Sequence, residues 1–305
     1  MARKRKGDAI NGIIILNKPK GLSSNQALQR VKRLFNAQKA GHTGSLDPMA
    51  TGVLPICFGK STRISQYLLD ADKSYFATIQ LGMTTDTGDT EGKIIEEKAA
   101  GKYTIEQIEN VLALFRGDIQ QIPPMFSALK SGGRPLYELA REGIEIKRTP
   151  RDISIYSLKL LNYSPEKSTI DIHVKCSKGT YIRTLGMDIA RALDTAGHLS
   201  MLKRDACGLL NHLQMLSLDN IEALSPNERY ASLISSEFPF TDKPIFTIPE
   251  SEETTFYQTG KLMNTAELHG IIRLYNTNGF IGIAEFDHGH IHKKQLFPQG
   301  IIDND

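Results

Sequence analysis

The chain contains no apolar run approaching the ~20 residues that span a bilayer, which removes a membrane-embedded helix from its reading. Its start, Ala2-Arg3-Lys4-Arg5-Lys6, is basic with no apolar signal core behind it, so the expected location is the cytoplasm. Cysteine is scarce. Cys57, Cys176 and Cys207 are odd in number, lie far apart and share no Cys-x-x-Cys spacing. That excludes a disulfide framework and a zinc knuckle, and all three read as reduced, mostly packed thiols. Internal repeats and low-complexity tracts are absent too. What is present, 305 residues with 40% hydrophobic content, suffices for one large domain and a smaller one.

The net charge of +3 is modest but unevenly spread. Arg3 to Lys6 form a basic tail, and Lys18, Lys20, Arg30, Lys32, Arg33 and Lys39 fill the next segment. Lys130 to Arg151 carries six basic residues against three acidic ones. Any one cluster serves solubility as readily as binding. Several around one candidate loop favour a phosphate backbone.

The pattern is α+β. Ile10 to Leu16 is a β-rich apolar run ending in the turn Asn17-Lys18-Pro19-Lys20-Gly21, after which Ser24 is placed to cap a helix carrying Leu28, Val31 and Leu34. Residues 41 to 54, Gly-His-Thr-Gly-Ser-Leu-Asp-Pro-Met-Ala-Thr-Gly-Val-Leu, hold three glycines and a proline, which deny them helix and make a stiff polar loop. Val53 to Phe58 predicts a buried strand, Thr62 to Leu69 a short helix, and Lys73 to Leu81 a strand with Tyr75, Ala77, Ile79 and Leu81 on one face. Thr104 and Gln107 form a capping box before Ile105, Ile108, Leu112 and Phe115.

Residues 121 to 151 break the periodicity and read as a mobile basic insertion with a short helix around Leu136 to Glu142. Ile153 to Leu161 and Thr169 to Cys176 suit an antiparallel pair, and Thr180 is placed to cap a helix with Leu185, Ile189 and Leu193. Leu216 to Asp242 reads as less ordered. A β-rich tail begins near residue 245, with a hairpin signal at Asn276-Thr277-Asn278-Gly279.

The candidate chemistry is carried by few residues. Asp47 precedes Pro48 and is pushed toward an extended backbone, so its carboxylate either projects from the loop or closes an Asx turn on its own backbone. His42 is either a hydrogen-bonded loop histidine or a ring that supports a flipped nucleotide. Arg183 falls in the first turn of its helix, where a cation opposes the dipole by ~0.3 to 1 kcal/mol. It therefore calls for an anion such as Asp47, unless it points into solvent. Tyr75 and Tyr181 are core tyrosines, or site tyrosines able to stack on a base or exchange a proton. Asp86 to Glu91 lacks the spacing of a calcium loop, and His288, His290 and His292, alternating along a strand, have no acidic second shell. No metal is expected.

At this point a family resemblance enters. The 41 to 54 block resembles the signature of TruB-type tRNA pseudouridine synthases, which isomerise uridine 55 in the T-loop of transfer RNA. Further motifs agree in order: Leu16-Asn17-Lys18-Pro19-Lys20-Gly21, Lys73-Ser74-Tyr75, Pro123-Pro124-Met125-Phe126-Ser127-Ala128-Leu129-Lys130, Cys176-Ser177-Lys178-Gly179-Thr180-Tyr181-Ile182-Arg183 and Met201-Leu202-Lys203-Arg204. The resemblance covers about the first two hundred residues.

The resemblance implies a pseudouridine synthase fold, with a mixed, mainly antiparallel sheet flanked by helices over residues 1–245. A small β-rich domain similar to PUA domains would follow over 246–305, and 123–151 would be the thumb-like loop that clamps the T-arm. It makes Asp47 the essential aspartate, Tyr75 the active-site tyrosine and Arg183 the arginine paired with Asp47. His42, Tyr181 and Leu202 would surround the flipped nucleotide, and Lys18, Lys130, Arg134 and Arg141 would contact RNA. The implied partner is tRNA, bound by a monomer. The reaction is an isomerisation that loses no atom, so no cofactor is implied. Two other classes fit part of the pattern: a non-catalytic RNA-binding or tRNA-folding protein on the same scaffold, and a nucleoside or glycoside hydrolase. The common hydrolases need a second carboxylate, and the matched motifs hold none.

Overall fold

The computed structural model describes residues 6–263 and 268–297; Arg3, Lys4 and Arg5 of the basic tail lie outside them. Two compact units are formed, one by 47–52 with 70–207 and the other by 1–46, 53–69 and 208–305.

The first of these units is a mixed, mainly antiparallel sheet with helices against it. Lys73–Leu81 buries Tyr75, Ala77, Ile79 and Leu81, and Thr169–Cys176 buries Ile170, Ile172, Val174 and Cys176, as the period-two alternation requires. These strands pair antiparallel with each other. Beyond Thr169–Cys176 come Arg151–Ser164 and then Gly117–Gln121, both antiparallel. On the other side of Lys73–Leu81 lies Gly197–Cys207, an eleven-residue strand that the sequence pattern hides. Ser200, Lys203, Arg204 and Asp205 obscure its apolar alternation, and register shifts between Leu199 and Met201 and between Arg204 and Ala206 change its phase.

The parallel element is small and bears directly on the 41 to 54 loop. Thr51 and Gly52 pair with Lys203 and Arg204. Gly52 has φ +98°, and a Cβ there would sit 2.1 Å from the Arg204 carbonyl oxygen, so the strand can approach only because this residue is glycine. Helix Ile182–Ala192 lies on the sheet through Gly186, where a Cβ would come within 2.8 Å of Leu199 Cδ2. Its cap is not Thr180. Tyr181 occupies the N-cap without a side-chain capping bond, and Thr180 Oγ1 instead donates to the Ser177 carbonyl at 3.0 Å. Helix Ile105–Ala113 has the expected Thr104–Gln107 capping box.

In the other unit, Gly12–Lys18 supplies Ile13, Ile14, Ile15 and Leu16 to the core. Helix Ser24–Leu34 is capped by Ser23 with Gln26, not by Ser24. Ser24 Oγ instead accepts from the Leu46 amide at 2.7 Å and donates to the Leu46 carbonyl at 3.1 Å, fixing the start of the loop that leads to Asp47. The ends of that loop are strand: Ala40–His42 pairs with the later part of Thr51–Phe58. Residues 216 to 242 are more ordered than the sequence suggests. They hold helices Leu218–Ala223 and Pro226–Ala231, each with a capping box.

Among the described residues the C-terminal β-rich domain has five strands in the order Ile245–Thr247, Gly270–Asn276, Gly279–Asp287, His290–Leu296, Lys261–Met263. Asn276 to Gly279 makes the expected hairpin turn. Ile248, Phe256, Leu262, Ile272, Leu274, Ile281, Ala284, Phe286 and Ile291 form a separate core cluster, to which the unforeseen helix Glu250–Thr259 gives Phe256. His288 lies in a turn at φ +45°, so it does not share a strand face with His290 and His292. All three cysteines are buried. Among the described residues no group of three or more His, Cys, Asp or Glu is placed to hold a metal, and no helix is long and apolar enough to cross a membrane.

Candidate active site

The Asp47 carboxylate turns toward Arg183. The Asp47 backbone carbonyl accepts from Ala50 N at 3.0 Å, closing the turn through Pro48, while the side chain leaves the loop to meet Arg183. Arg183 Nε lies 2.8 Å from Asp47 Oδ2 and Nη2 donates to Asp47 Oδ1 at 3.3 Å, a two-pronged guanidinium–carboxylate contact. The partners differ in exposure. The Arg183 side chain is 5% exposed and that of Asp47 36%, so the carboxylate is gripped from below and open on one side.

The rest of the guanidinium is held by groups the sequence did not single out. Nη1 donates to the Thr87 carbonyl at 2.6 Å and Nη2 to the Phe126 carbonyl at 2.7 Å. Asp89 Oδ2 stands 3.8 Å from Nε and is itself buried, its Oδ1 accepting from Thr87 Oγ1 at 2.6 Å and from Glu91 N at 3.0 Å. The plain acidic turn of the sequence is thus the floor beneath Arg183. Gly88, at φ +75°, allows the approach: a Cβ there would lie 3.0 Å from Met187 Cε and 3.4 Å from Arg183 Cβ. Asp89 is a second carboxylate near the site, but its bonds to this turn fix it in place.

Tyr75 faces the core and is 8% exposed. Burial pushes its phenol up to about 12, against the opposing pull of Arg204, which donates a hydrogen bond to it. Arg204 lies opposite Tyr75 across the sheet, and Leu202 opposite Ala77, so Leu202, Arg204 and Tyr75 share one face. Arg204 also pairs with Gly52, five residues after Asp47, which ties this face to the Asp47 loop. Arg204 is 1% exposed, and in the sequence it is only the end of the Met201-Leu202-Lys203-Arg204 motif. Its charge at the end of a mixed apolar and basic run is the one signal that could have marked it.

Tyr181 is half-buried, and burial raises its phenol above the ordinary value, a rise that the charges of Arg151 and Arg183 oppose. Its backbone is held at both ends by one side chain: Gln121 Oε1 accepts from Tyr181 N at 2.8 Å and Gln121 Nε2 donates to Tyr181 O at 3.1 Å.

Asp47, Arg183 and Tyr181 are therefore brought together, with Tyr75 and Leu202 on the adjoining sheet face. The remaining candidates are placed differently. His42 ends strand Ala40–His42 in the other unit, half-buried and opposite Ile56. Lys18, in the same unit, is fully buried, and its ammonium donates to the carbonyls of Pro19 at 3.0 Å and Leu22 at 2.5 Å. That geometry braces the turn after the first strand. Lys130 and Arg134 are exposed on the hairpin formed by Lys130–Ser131 and Arg134–Pro135, where Arg134 is ion-paired with Glu142. Arg141 is exposed at the end of helix Leu136–Arg141, its guanidinium 5.5 Å from the Tyr137 ring centre.

A family model described as TruB family pseudouridylate synthase (N terminal domain) matches residues 32–182. A protein named tRNA pseudouridine synthase B from Francisella philomiragia is 53% identical over 294 residues, covering 96% of this chain and 97% of that one. A protein of the same name from Francisella tularensis is 49% identical over the same shares. Among solved structures, one described as a Cbf5-Nop10-Gar1 complex superposes with a TM-score of 0.71 at 23% identity, covering 94% of this chain and 85% of its own. Another, an H/ACA RNP bound to a substrate RNA containing 2′-deoxyuridine, gives 0.70 at 19% identity over 99% and 93%. These two show the fold.

Proposed function

The chain belongs to the TruB family of pseudouridine synthases, and from that membership we propose that it converts uridine 55 in the T-loop of tRNA, with Asp47, Tyr75 and Arg183 at the reacting nucleotide. The isomerase activity on tRNA follows from relatives of that name at about half identity over nearly the whole chain.

The observation that carries the roles is the unequal burial of the Asp47–Arg183 pair. Conversion of uridine to pseudouridine breaks the N1–C1′ bond, turns the uracil, joins C5 to C1′ and moves a proton from C5 to solvent while N1 gains one. Attack at C1′, addition at C6 and removal of a C2′ proton all begin from an ionised carboxylate. A guanidinium nitrogen 2.8 Å away pairs with the carboxylate, and the exposed side of Asp47 leaves it open to a nucleotide. Because burial raises the phenol of Tyr75 above its ordinary value, it is neutral at pH 7. Tyr75 therefore serves as a neutral wall for the base, with Leu202 beside it and Arg204 orienting its hydroxyl.

The target base lies in a folded loop and must be extruded before the C1′ bond can be reached. Under this reading His42 fills the vacated position and Tyr181 packs on the flipped nucleotide. Residues 123–151 act as the thumb, offering Lys130, Arg134 and Arg141 to the T-arm backbone, and 246–305 act as a PUA-like RNA-binding domain. The enzyme works as a monomer in the cytoplasm and needs no cofactor, since the reaction is redox-neutral.

The test is to incubate the protein with tRNA, map pseudouridine by position, and compare Asp47→Ala. Product confined to uridine 55 in the wild type and none in the variant is expected. Abundant product from Asp47→Ala would overturn the catalytic assignment, and product at other uridines the positional one.

A further inference from the structure

We propose that Gln121 is a positioning residue for the Asp47–Arg183 pair, locking the N-cap residue of the Arg183 helix to the neck of the basic insertion. The proposal rests on the catalytic reading of that pair given above.

Gln121 is the last residue of strand Gly117–Gln121 and lies opposite Arg151, so the two mark the points where residues 122–150 leave and rejoin the sheet. Its side chain is nearly fully buried, at 4% exposure for the residue. A buried primary amide carries two donors and a carbonyl that need partners. Here the oxygen accepts from Tyr181 N and the nitrogen donates to Tyr181 O, so the side chain pairs with one backbone residue as a neighbouring strand would.

The residue it grips is the one the helix leaves unprotected. Tyr181 is the N-cap of helix Ile182–Ala192, but its side chain supplies no capping bond. Its carbonyl also accepts the first helical bond, from Leu185 N at 3.0 Å. Fixing Tyr181 fixes the direction of the first turn, and Arg183 is two residues further on. Five residues beyond Gln121, the Phe126 carbonyl accepts from Arg183 Nη2. The segment from 121 to 126 thus holds the helix start by its backbone and the guanidinium by its tip. A guanidinium held by four groups in a buried site tolerates little displacement before its two-pronged contact with Asp47 is lost. A misplacement of about 1 Å from a change away from the chemistry can lower a rate on the order of 100-fold.

Two variants separate positioning from mere stability. Gln121→Met keeps the length and removes both hydrogen bonds. Gln121→Glu keeps the acceptor for Tyr181 N but, when ionised, sets a carboxylate oxygen against the Tyr181 carbonyl; when protonated it regains a donor. Expected for Gln121→Met is a single-turnover rate of pseudouridine formation on tRNA lowered about 10- to 100-fold, with tRNA affinity within about twofold of wild type and a circular dichroism melt that shows folded protein at the assay temperature. For Gln121→Glu, the rate relative to wild type should rise as pH falls from 8 to 5.5, because protonation restores the donor. A folded Gln121→Met with the wild-type rate overturns the proposal. So does a Gln121→Glu whose ratio to wild type is flat with pH. Wild-type protein that forms no pseudouridine, or Asp47→Ala that does, refutes the catalytic reading itself and removes the proposal with it.

Discussion

Removing either half of the Asp47–Arg183 pair should abolish activity, yet the two losses should differ sharply in stability. Arg183 is buried and faces four acceptors: the Asp47 carboxylate, the Thr87 and Phe126 carbonyls and, at 3.8 Å, the carboxylate of Asp89. In Arg183→Met the Asp89 carboxylate, 4% exposed, is left in the interior without the guanidinium, and two carbonyls lose a charged donor. Breaking a buried pair by removing one partner typically costs about 3 to 5 kcal/mol. Asp47→Asn is milder. Two unit charges about 4 Å apart attract by about 4 kcal/mol at an effective dielectric of about 20, but Asp47 is one-third exposed and Arg183 retains its other acceptors. The net loss should be about 1 kcal/mol, as for partly exposed pairs. Urea unfolding of both variants, alongside single-turnover pseudouridine formation, measures the contrast. Equal destabilisation would show that Asp47 is a structural anchor first, and a loss below about 1 kcal/mol in Arg183→Met would show that the floor under the pair does not depend on the guanidinium.

Gly52→Ala should destabilise by more than the roughly 1 kcal/mol of an ordinary Gly-to-Ala mismatch, because its Cβ would stand 2.1 Å from the Arg204 carbonyl at a φ of +98°; a urea midpoint equal to wild type would refute the close parallel pairing. The phenol of Tyr75 is raised from 10.0 to about 12 in the folded state, so the stability its neutral form contributes is full below pH 10 and lost as pH rises through 12. Unfolding midpoints between pH 9 and 12 should fall more steeply for wild type than for Tyr75→Phe, and parallel curves would contradict this burial. Lys18→Met should lower stability by about 1 to 3 kcal/mol, through loss of its bonds to Pro19 and Leu22, and leave the salt dependence of tRNA binding unchanged. Lys130→Ala should do the reverse, reducing the slope of log affinity against log salt by about 0.7 to 0.9 with the single-turnover rate at saturating enzyme unchanged; no change in slope would remove Lys130 from the RNA contacts.

What could be read ahead of the structure, and what could not, divides along physical lines. The strands Lys73–Leu81 and Thr169–Cys176 were legible because each has one buried face and therefore writes its period into the sequence. Strand Gly197–Cys207 was not: two register shifts and the inward-facing Arg204 break the period in the strand that touches both Gly52 and Tyr75. The Asp47–Arg183 contact could be foreseen because Arg183 carries its own signature, a cation where the helix dipole disfavours one, which demands an anion from elsewhere. No such mismatch marks Asp89 or Gln121. An acidic turn and a strand-end glutamine are locally satisfied in many settings, and their meaning lies in partners 94 and 60 residues away along the chain. Lys18 shows the converse. It sits in a motif and carries a charge that suits RNA, yet its ammonium donates to two turn carbonyls. A charge in a motif names a chemical capacity, and only the groups within about 3 Å of it determine whether that capacity is turned outward to a substrate or inward to the fold. For Asp47 both hold: two of its contacts point inward to Arg183, and the third of its side chain left exposed is what a substrate can use.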